Sequence, residues 1–122
     1  SPTCLLMSQI TIYHNPRCTK SRQTLQLIQD AGIEPEIVEY LKSPPTAEEI
    51  AVILKKLKLE PLAAMRRKEA AFKELGLSND TPRDQAISAM ADNPILIERP
   101  IVVRGRKAVI GRPPENVNEL IG

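Results

Sequence analysis

The residues most able to do chemistry surround one cysteine near the start of the chain. Cys18 follows Arg17 and precedes Lys20 and Ser21, where a strand-like apolar run at residues 10–13 gives way to a helix-periodic segment. The first turn of a helix offers free N–H groups and the positive end of the dipole, which favour a thiolate and also bind oxyanions. Buried cysteines usually only pack, but these charged neighbours favour a reactive thiol. We predict a nucleophilic thiolate and an anion site in one place.

Two neighbours of Cys18 are candidates for stabilising its thiolate. Ser21 lies one helical turn later, where its hydroxyl either donates a hydrogen bond to the sulfur or is an ordinary first-turn serine. His14 is the only histidine and precedes Cys18 on the strand. An imidazolium would lower the pKa of the thiol if the loop folds back, and a structural histidine is the alternative. Both alternatives stay open, because the distance depends on the loop.

The motif around Cys18 requires a second thiol from elsewhere. Cys18 and Ser21 form C-x-x-S, so no local disulfide can close. The other cysteine, Cys4, falls in a segment at residues 1–9 that we expect to be disordered, so an external thiol such as glutathione is the simpler partner. One histidine and two distant cysteines match no usual zinc spacing, and we expect neither a metal nor a bound cofactor. Thr24 stands where a C-x5-R phosphatase loop needs arginine.

Length and composition fit one globular domain. The chain has 122 residues, of which 42 % are hydrophobic and 2 % aromatic, and its formal net charge is +2. So few aromatic residues and so small a charge argue against nucleic-acid binding. No apolar run reaches membrane-spanning length, and residues 1–6 lack the features of a signal peptide. We therefore expect a cytoplasmic protein that binds neither nucleic acid nor membrane.

The elements predicted along the chain follow the order βαβ, helical block, ββα. Gly32 ends the first helix, Thr46 and Glu49 form a capping box, and Gly105 marks a hairpin turn. The predicted segments are a strand at 10–13, a helix at 19–31, a parallel strand at 36–41, a mostly helical block at about 46–93, strands at 100–103 and 107–110, and a helix after residues 113–114. We predict an α/β fold with one domain over residues 10–122, its helical block covering the sheet.

Arg99 and Arg112 differ in context from the other arginines. Most surface arginines are solvated charges, but these two fall at the ends of predicted strands, where open α/β sheets place ligands. A guanidinium binds an oxyanion through paired hydrogen bonds. The two residues are therefore candidates for an anion site.

Four segments together resemble the glutaredoxin-coupled arsenate reductases, in the same order and over nearly the whole chain. They are HNPRCTKSR at residues 14–22, YLKSPP at 40–45, NPILIERPIVV at 93–103 and GRP at 111–113. The resemblance implies a thioredoxin-like fold with a helical insertion. It also predicts a cis peptide bond between Arg99 and Pro100.

The resemblance also implies roles for particular residues. By position, Cys18 is similar to the cysteine that attacks arsenate, while His14 and Ser21 are similar to the groups that favour its thiolate. The oxyanion-binding set that it implies consists of three arginines: Arg66, with Arg67 as the alternative, Arg99 and Arg112. The implied activity is reduction of arsenate to arsenite, dependent on glutathione and glutaredoxin, as in arsenic resistance.

The chain departs from this pattern directly after the cysteine. Thr19-Lys20 stands where the arsenate reductases proper have Gly-Thr, which resembles an arsenate-reductase-like subgroup with a Cys-Thr-Lys-Ser loop. Thr19 adds a β-carbon where a ligand would approach the first amides, and Lys20 adds positive charge. Two alternatives follow: a glutathione-dependent thiol–disulfide oxidoreductase with little arsenate activity, or a non-enzymatic redox-regulatory binding protein of the same fold.

Overall fold

A computed structural model describes residues 9–121 of the chain. It divides into two compact units, one formed by the residues up to Tyr40 together with those from Arg99 onward, the other by Leu41–Glu98. The single domain expected over residues 10–122 stays a prediction. Cys4 and residues 1–8 of the segment expected to be disordered lie outside the described residues. Within residues 9–121, no helix combines the length and the apolar character needed to cross a membrane.

The secondary structure follows the predicted order. In chain order it comprises β1 (Ile10–His14), α1 (Thr19–Asp30), β2 (Glu36–Glu39), α2 (Ala47–Leu57), α3 (Ala70–Glu74), α4 (Arg83–Asp92), β3 (Ile101–Arg104), β4 (Lys107–Ile110) and α5 (Asn118–Ile121), with 3-10 turns at Pro61–Ala64, Pro94–Leu96 and Pro114–Val117. The second strand ends two residues earlier than its sequence pattern predicts. Among residues 9–121 its only neighbouring strand is β1, and their pairing stops at His14 opposite Glu39, so the chain beyond Glu39 meets no further strand in this part of the chain.

The first unit contains a four-stranded sheet in the order β2-β1-β3-β4. β1 pairs in parallel with β2 and antiparallel with β3, and β3 and β4 form an antiparallel hairpin. Gly105 turns this hairpin with a φ of 61°, a conformation that favours glycine. The parallel βαβ unit and the hairpin predicted from the sequence are both confirmed. β1 is paired on both sides, and the loop to α1 begins at its C-terminal end.

The core of the first unit is aliphatic, as the low aromatic content requires. Residues from the inner strands, from α1 and from the C-terminal turns form one buried cluster: Ile10, Ile12, Ile28, Val102, Val117 and Leu120. Burying branched aliphatic side chains of this size stabilises a fold by about 1.5–3 kcal/mol each. The cluster therefore holds α1 against the sheet, and with it the residues at the helix's N-terminus.

The second unit is mostly helical, as predicted. The Glu49 N–H donates to Thr46 Oγ1 at 3.1 Å and the Thr46 N–H donates to Glu49 Oε1 at 3.2 Å, which confirms the capping box at the start of α2. A β-bridge joins Met65 to Ile97, and next to it the Arg66 N–H donates to Leu96 O at 2.7 Å. These backbone contacts fix the chain at Arg66.

Gly111, after β4, lies at a close approach between α1 and the residues around Pro100. A β-carbon at Gly111 would lie 2.4 Å from Thr24 Oγ1 and 2.9 Å from Pro100 Cγ. The Thr24 hydroxyl lies 3.3 Å from Gly111 O and 2.8 Å from Lys20 O, and the Gly111 N–H donates to Pro100 O at 2.9 Å. Only glycine fits this position without displacing its neighbours.

We expect Gly111→Ala to lower the free energy of unfolding by about 1–3 kcal/mol, because the added methyl overpacks a closed contact. Urea denaturation measures the change. Adding Thr24→Ala removes two of the three clashing atoms, so the double variant should lose less stability than the sum of the single losses. Strictly additive losses, or wild-type stability in Gly111→Ala, would contradict the clash.

Candidate active site

Cys18 is the N-cap residue of α1, at the end of a tightly bonded loop. Its backbone is extended, with φ −94° and ψ 123°, and its carbonyl accepts the Arg22 N–H at 3.0 Å. The Cys18 N–H donates to Asn15 O at 2.9 Å, and Asn15 Oδ1 accepts the Arg17 N–H at 3.0 Å. Cys18 is partly exposed, so its sulfur is accessible to solvent.

The environment of Cys18 favours its thiolate. Burial is the largest single influence and acts to raise the pKa of the thiol, since it disfavours the charged form. The backbone N–H of Ser21, the charge and hydrogen bond of Arg99, and the backbone N–H of Lys20 act against it and together bring the pKa of Cys18 below its ordinary value. The thiolate expected at the helix N-terminus is therefore stabilised mainly by amides and a guanidinium.

Arg99 and Arg112 meet at the sulfur although they are distant from it in sequence. Arg112 Nη1 donates to Cys18 Sγ at 3.8 Å and to Arg99 O at 3.4 Å. Arg112 is exposed, so water screens its charge, and the less exposed Arg99 is the guanidinium that lowers the pKa of Cys18. The Arg99–Pro100 bond is cis, as predicted, and Arg112–Pro113 is a second cis bond that the sequence did not indicate.

Ser21 and His14 form a buried pair behind Cys18. The Ser21 side chain is fully buried, lies 2.6 Å from His14 Nδ1 and accepts the Asn15 N–H at 3.0 Å. Among the described contacts, the hydrogen bonds of the Ser21 hydroxyl therefore go to His14 and Asn15, and the Ser21 group that reaches the sulfur is the backbone N–H. Ser21 thus acts on the thiolate through its place in the first turn.

The surroundings of His14 favour the neutral imidazole over the imidazolium. Its imidazole is 6 % exposed, and burial lowers its pKa, aided by the nearby Arg22 charge and opposed by the Glu39 carboxylate. A neutral ring at pH 7 supplies no positive charge to Cys18, in contrast to the imidazolium that the sequence left possible. Its contact is with Ser21, so its effect on the thiolate runs through the position of the first turn.

The first arginine of the predicted set, Arg66, belongs to the second unit. Its Nη2 lies 2.6 Å from Glu69 Oε1, whereas Arg67 Nη2 donates to Asn79 Oδ1 at 3.2 Å and its guanidinium lies 5.4 Å from the Phe72 ring centroid. The structure thus brings Arg99 and Arg112 to Cys18 within the first unit. The oxyanion-binding role of Arg66 stays a prediction.

The Lys20 amide is one of the first-turn N–H groups that the sequence predicted would favour the thiolate. Sequence reasoning missed one other contributor to this site. The contact between Gly111 and Thr24 joins α1 to the segment that carries Arg112. In the sequence, this contact was indicated only by a glycine directly after a predicted strand.

The sequence of this chain matches a known protein family. The family model described as the ArsC family matches residues 13–120. The chain belongs to the ArsC family. The resemblance noted from the sequence is thereby confirmed.

Several known proteins are similar to this chain over nearly their whole length. It is 50 % identical over 119 residues to a protein of Escherichia coli K12 named uncharacterized protein YfgD, covering 96 % of this chain and 100 % of the relative. It is 45 % identical over 117 residues to an arsenate reductase of Neisseria meningitidis, and the match covers 94 % of this chain and 100 % of that relative. The solved structure of an arsenate reductase from Vibrio cholerae has 46 % identity and a TM-score of 0.89, covering 92 % of this chain and 97 % of that one. The predicted thioredoxin-like α/β fold of the ArsC family is confirmed.

We expect Arg99→Gln to raise the pKa of Cys18, because the substitution removes a charge and a hydrogen bond that favour the thiolate. Alkylation of Cys18 by iodoacetamide, followed by mass spectrometry in a Cys4→Ser background across a pH series, measures the pKa. Arg17→Gln is the matched control: it removes a charge one residue from Cys18 that is not among the influences on its pKa. An equal upward shift in both variants would contradict a specific role for Arg99.

The lowered pKa of His14 makes stability depend on pH. The unfolded chain takes up a proton near pH 6.5 that the folded chain resists, so stability that is present above this pH is lost as the pH falls below it. The loss is at most about 1.4 kcal/mol per pH unit for one proton. We expect His14→Asn, which removes the only histidine, to flatten the fall in unfolding free energy between about pH 7 and about pH 5.5. Parallel curves for wild type and variant would contradict a buried neutral imidazole.

Proposed function

We propose that this protein reduces arsenate to arsenite through the Cys18 thiolate. The observation that carries the proposal is the convergence on one sulfur of the Ser21 and Lys20 amides, the Arg99 charge and Arg112 Nη1 at 3.8 Å. Arsenate is a tetrahedral oxyanion, and groups that stabilise a thiolate by positive potential also bind such an anion. Relatives named arsenate reductase, at 45 % and 46 % identity, support this substrate.

In the first step, the Cys18 thiolate attacks As(V). An S–As bond forms, and one arsenate oxygen leaves as water after taking up protons from solvent. Arg99 and Arg112 offset the charge of the remaining oxygens, as guanidinium groups do at phosphoryl centres. Arsenic is still As(V) at this point, and no net oxidation has occurred.

In the second step, a glutathione thiolate attacks the Cys18 sulfur. An S–S bond forms while the S–As bond breaks, its electron pair stays on arsenic, and As(III) leaves as arsenite after protonation by water. Two thiols have been oxidised to one mixed disulfide and arsenic has gained two electrons. A glutaredoxin thiolate then attacks the glutathione sulfur and releases the Cys18 thiolate.

The need for an external thiol is supported by the site itself. Cys18 is a free thiol, and the residue one turn later is Ser21, so the described residues hold no second sulfur for a disulfide. Glutathione and glutaredoxin are the co-substrate and partner that the resemblance implies. Glutathione and glutaredoxin act in a reducing compartment, and we propose that this protein works in the cytoplasm.

We expect Cys18→Ser to abolish arsenate-dependent NADPH oxidation in an assay coupled through glutathione, glutaredoxin and glutathione reductase, because a serine hydroxyl is a far weaker nucleophile at neutral pH. Cys4→Ser is the matched control and should keep wild-type turnover. Equal rates in wild type and Cys18→Ser would refute the role of Cys18. Loss of turnover in Cys4→Ser would refute reduction by an external thiol alone.

The same assay separates arsenate reduction from the nearest alternative. A thiol–disulfide oxidoreductase with little arsenate activity would give no arsenate-dependent signal at millimolar arsenate, yet would release glutathione from a glutathionylated peptide. That pair of results would overturn the arsenate assignment and leave the Cys18 nucleophile in place.

A further inference from the structure

One side chain bridges the residues on either side of Cys18. We call residues 15–18, which connect β1 to α1, the Cys18 loop. Arg22 Nη1 donates to Pro16 O at 2.8 Å, and Arg22 Nη2 donates to Thr19 Oγ1 at 3.3 Å. Pro16 lies before Cys18 in the chain, and Thr19 directly follows it. A single guanidinium therefore connects the loop to the first residue of the helix.

This bridge lies on the exposed side of the Cys18 loop and complements a buried one. On the buried side, the Asn15 N–H donates to Oγ of the fully buried Ser21 at 3.0 Å. Pro16, Thr19 and Arg22 are all exposed, so the guanidinium closes the side of the loop that faces solvent. The loop is thus bonded to α1 from both sides.

Arg22 acts through the geometry of its guanidinium rather than through its charge. The groups that lower the pKa of Cys18 are backbone amides of the first turn and the Arg99 guanidinium, and the Arg22 charge is not among them. A guanidinium is planar and presents its N–H donors in a rigid fork, so one side chain binds two acceptors at a fixed spacing. A lysine presents a single nitrogen and cannot reproduce this arrangement.

We propose that Arg22 is a positioning residue, which holds Cys18 against the first turn of α1 by joining Pro16 to Thr19. The proposal rests on the proposed function only for its effect on turnover. A nucleophile reacts fast when it is held in the geometry of attack, and the first-turn amides stabilise the thiolate only while Cys18 stays at the N-cap. Thr19 supplies the second acceptor, because the glycine that stands here in the arsenate reductases proper has no hydroxyl.

The first test measures opening of the Cys18 loop without arsenate. Hydrogen exchange of the Cys18 N–H is followed by NMR in the wild type and in Arg22→Gln. We expect exchange about three- to tenfold faster in the variant, because an opened loop exposes this amide to water. The N–H of Ile28, in the buried part of α1, should exchange at the wild-type rate. Unchanged exchange at Cys18, or equal acceleration at Ile28, would overturn the proposal.

The second test compares turnover in the coupled arsenate assay. Arg22→Gln should lower kcat about three- to tenfold and change the KM for arsenate less than about twofold, since Arg99 and Arg112 stay in place. Arg22→Lys keeps the charge but offers one nitrogen to two acceptors, so its kcat should remain below the wild-type value. Arg17→Gln is the matched control, because it removes an equal charge from an exposed residue of the Cys18 loop, and it should keep wild-type kcat. Full recovery in Arg22→Lys, or an equal loss in Arg17→Gln, would overturn a positioning role.

The third test asks whether Thr19 acts through Arg22. Thr19→Val keeps a branched side chain and removes the hydroxyl, so it should speed exchange of the Cys18 N–H less than Arg22→Gln does. Added to Arg22→Gln it should have no further effect, because the partner nitrogen is already gone, and additive effects would overturn the pairing. Faster Cys18 exchange in Arg22→Gln of a protein that does not reduce arsenate would support this proposal and refute the proposed function. Unchanged exchange in a protein that does reduce arsenate would do the reverse.

Discussion

The site depends on a negative sulfur held against the first-turn amides of α1. Burial acts to raise the pKa of the Cys18 thiol, and this pKa lies below its ordinary value because the backbone N–H groups of Ser21 and Lys20 and the Arg99 guanidinium favour the thiolate. Backbone amides are fixed in direction by the helix, so this stabilisation needs no reorganisation when the thiolate reacts. The position of the first turn of α1 therefore decides the chemistry of the site.

Buried neutral groups hold that turn, while charged groups face the sulfur. The pair formed by His14 and Ser21 joins the end of β1 to the start of α1 through a 2.6 Å hydrogen bond. An uncharged imidazole suits this buried place, because a cation there would pay a desolvation penalty. The charges of Arg99 and Arg112 lie instead beside the sulfur of Cys18.

The Thr19-Lys20 departure from the Gly-Thr pattern of the arsenate reductases proper has a physical explanation in this arrangement. A thiolate stabilised by the backbone N–H of Lys20 accepts almost any side chain at that position. The Lys20 side chain itself is exposed. Variation of the side chain at this position therefore leaves the hydrogen bond from the backbone N–H to Cys18 in place.

The sequence by itself determined the order of elements and the place of Cys18 at a strand-to-helix junction, because hydrophobic periodicity and caps such as Thr46–Glu49 are local properties. It also singled out Arg99 and Arg112 from their neighbours. Only the tertiary structure decided that Arg112 reaches a sulfur 94 positions away, that Gly111 closes on Thr24, and that His14 is buried and neutral. Those outcomes depend on burial and on distances between segments far apart in the chain, which no local pattern of residue types specifies.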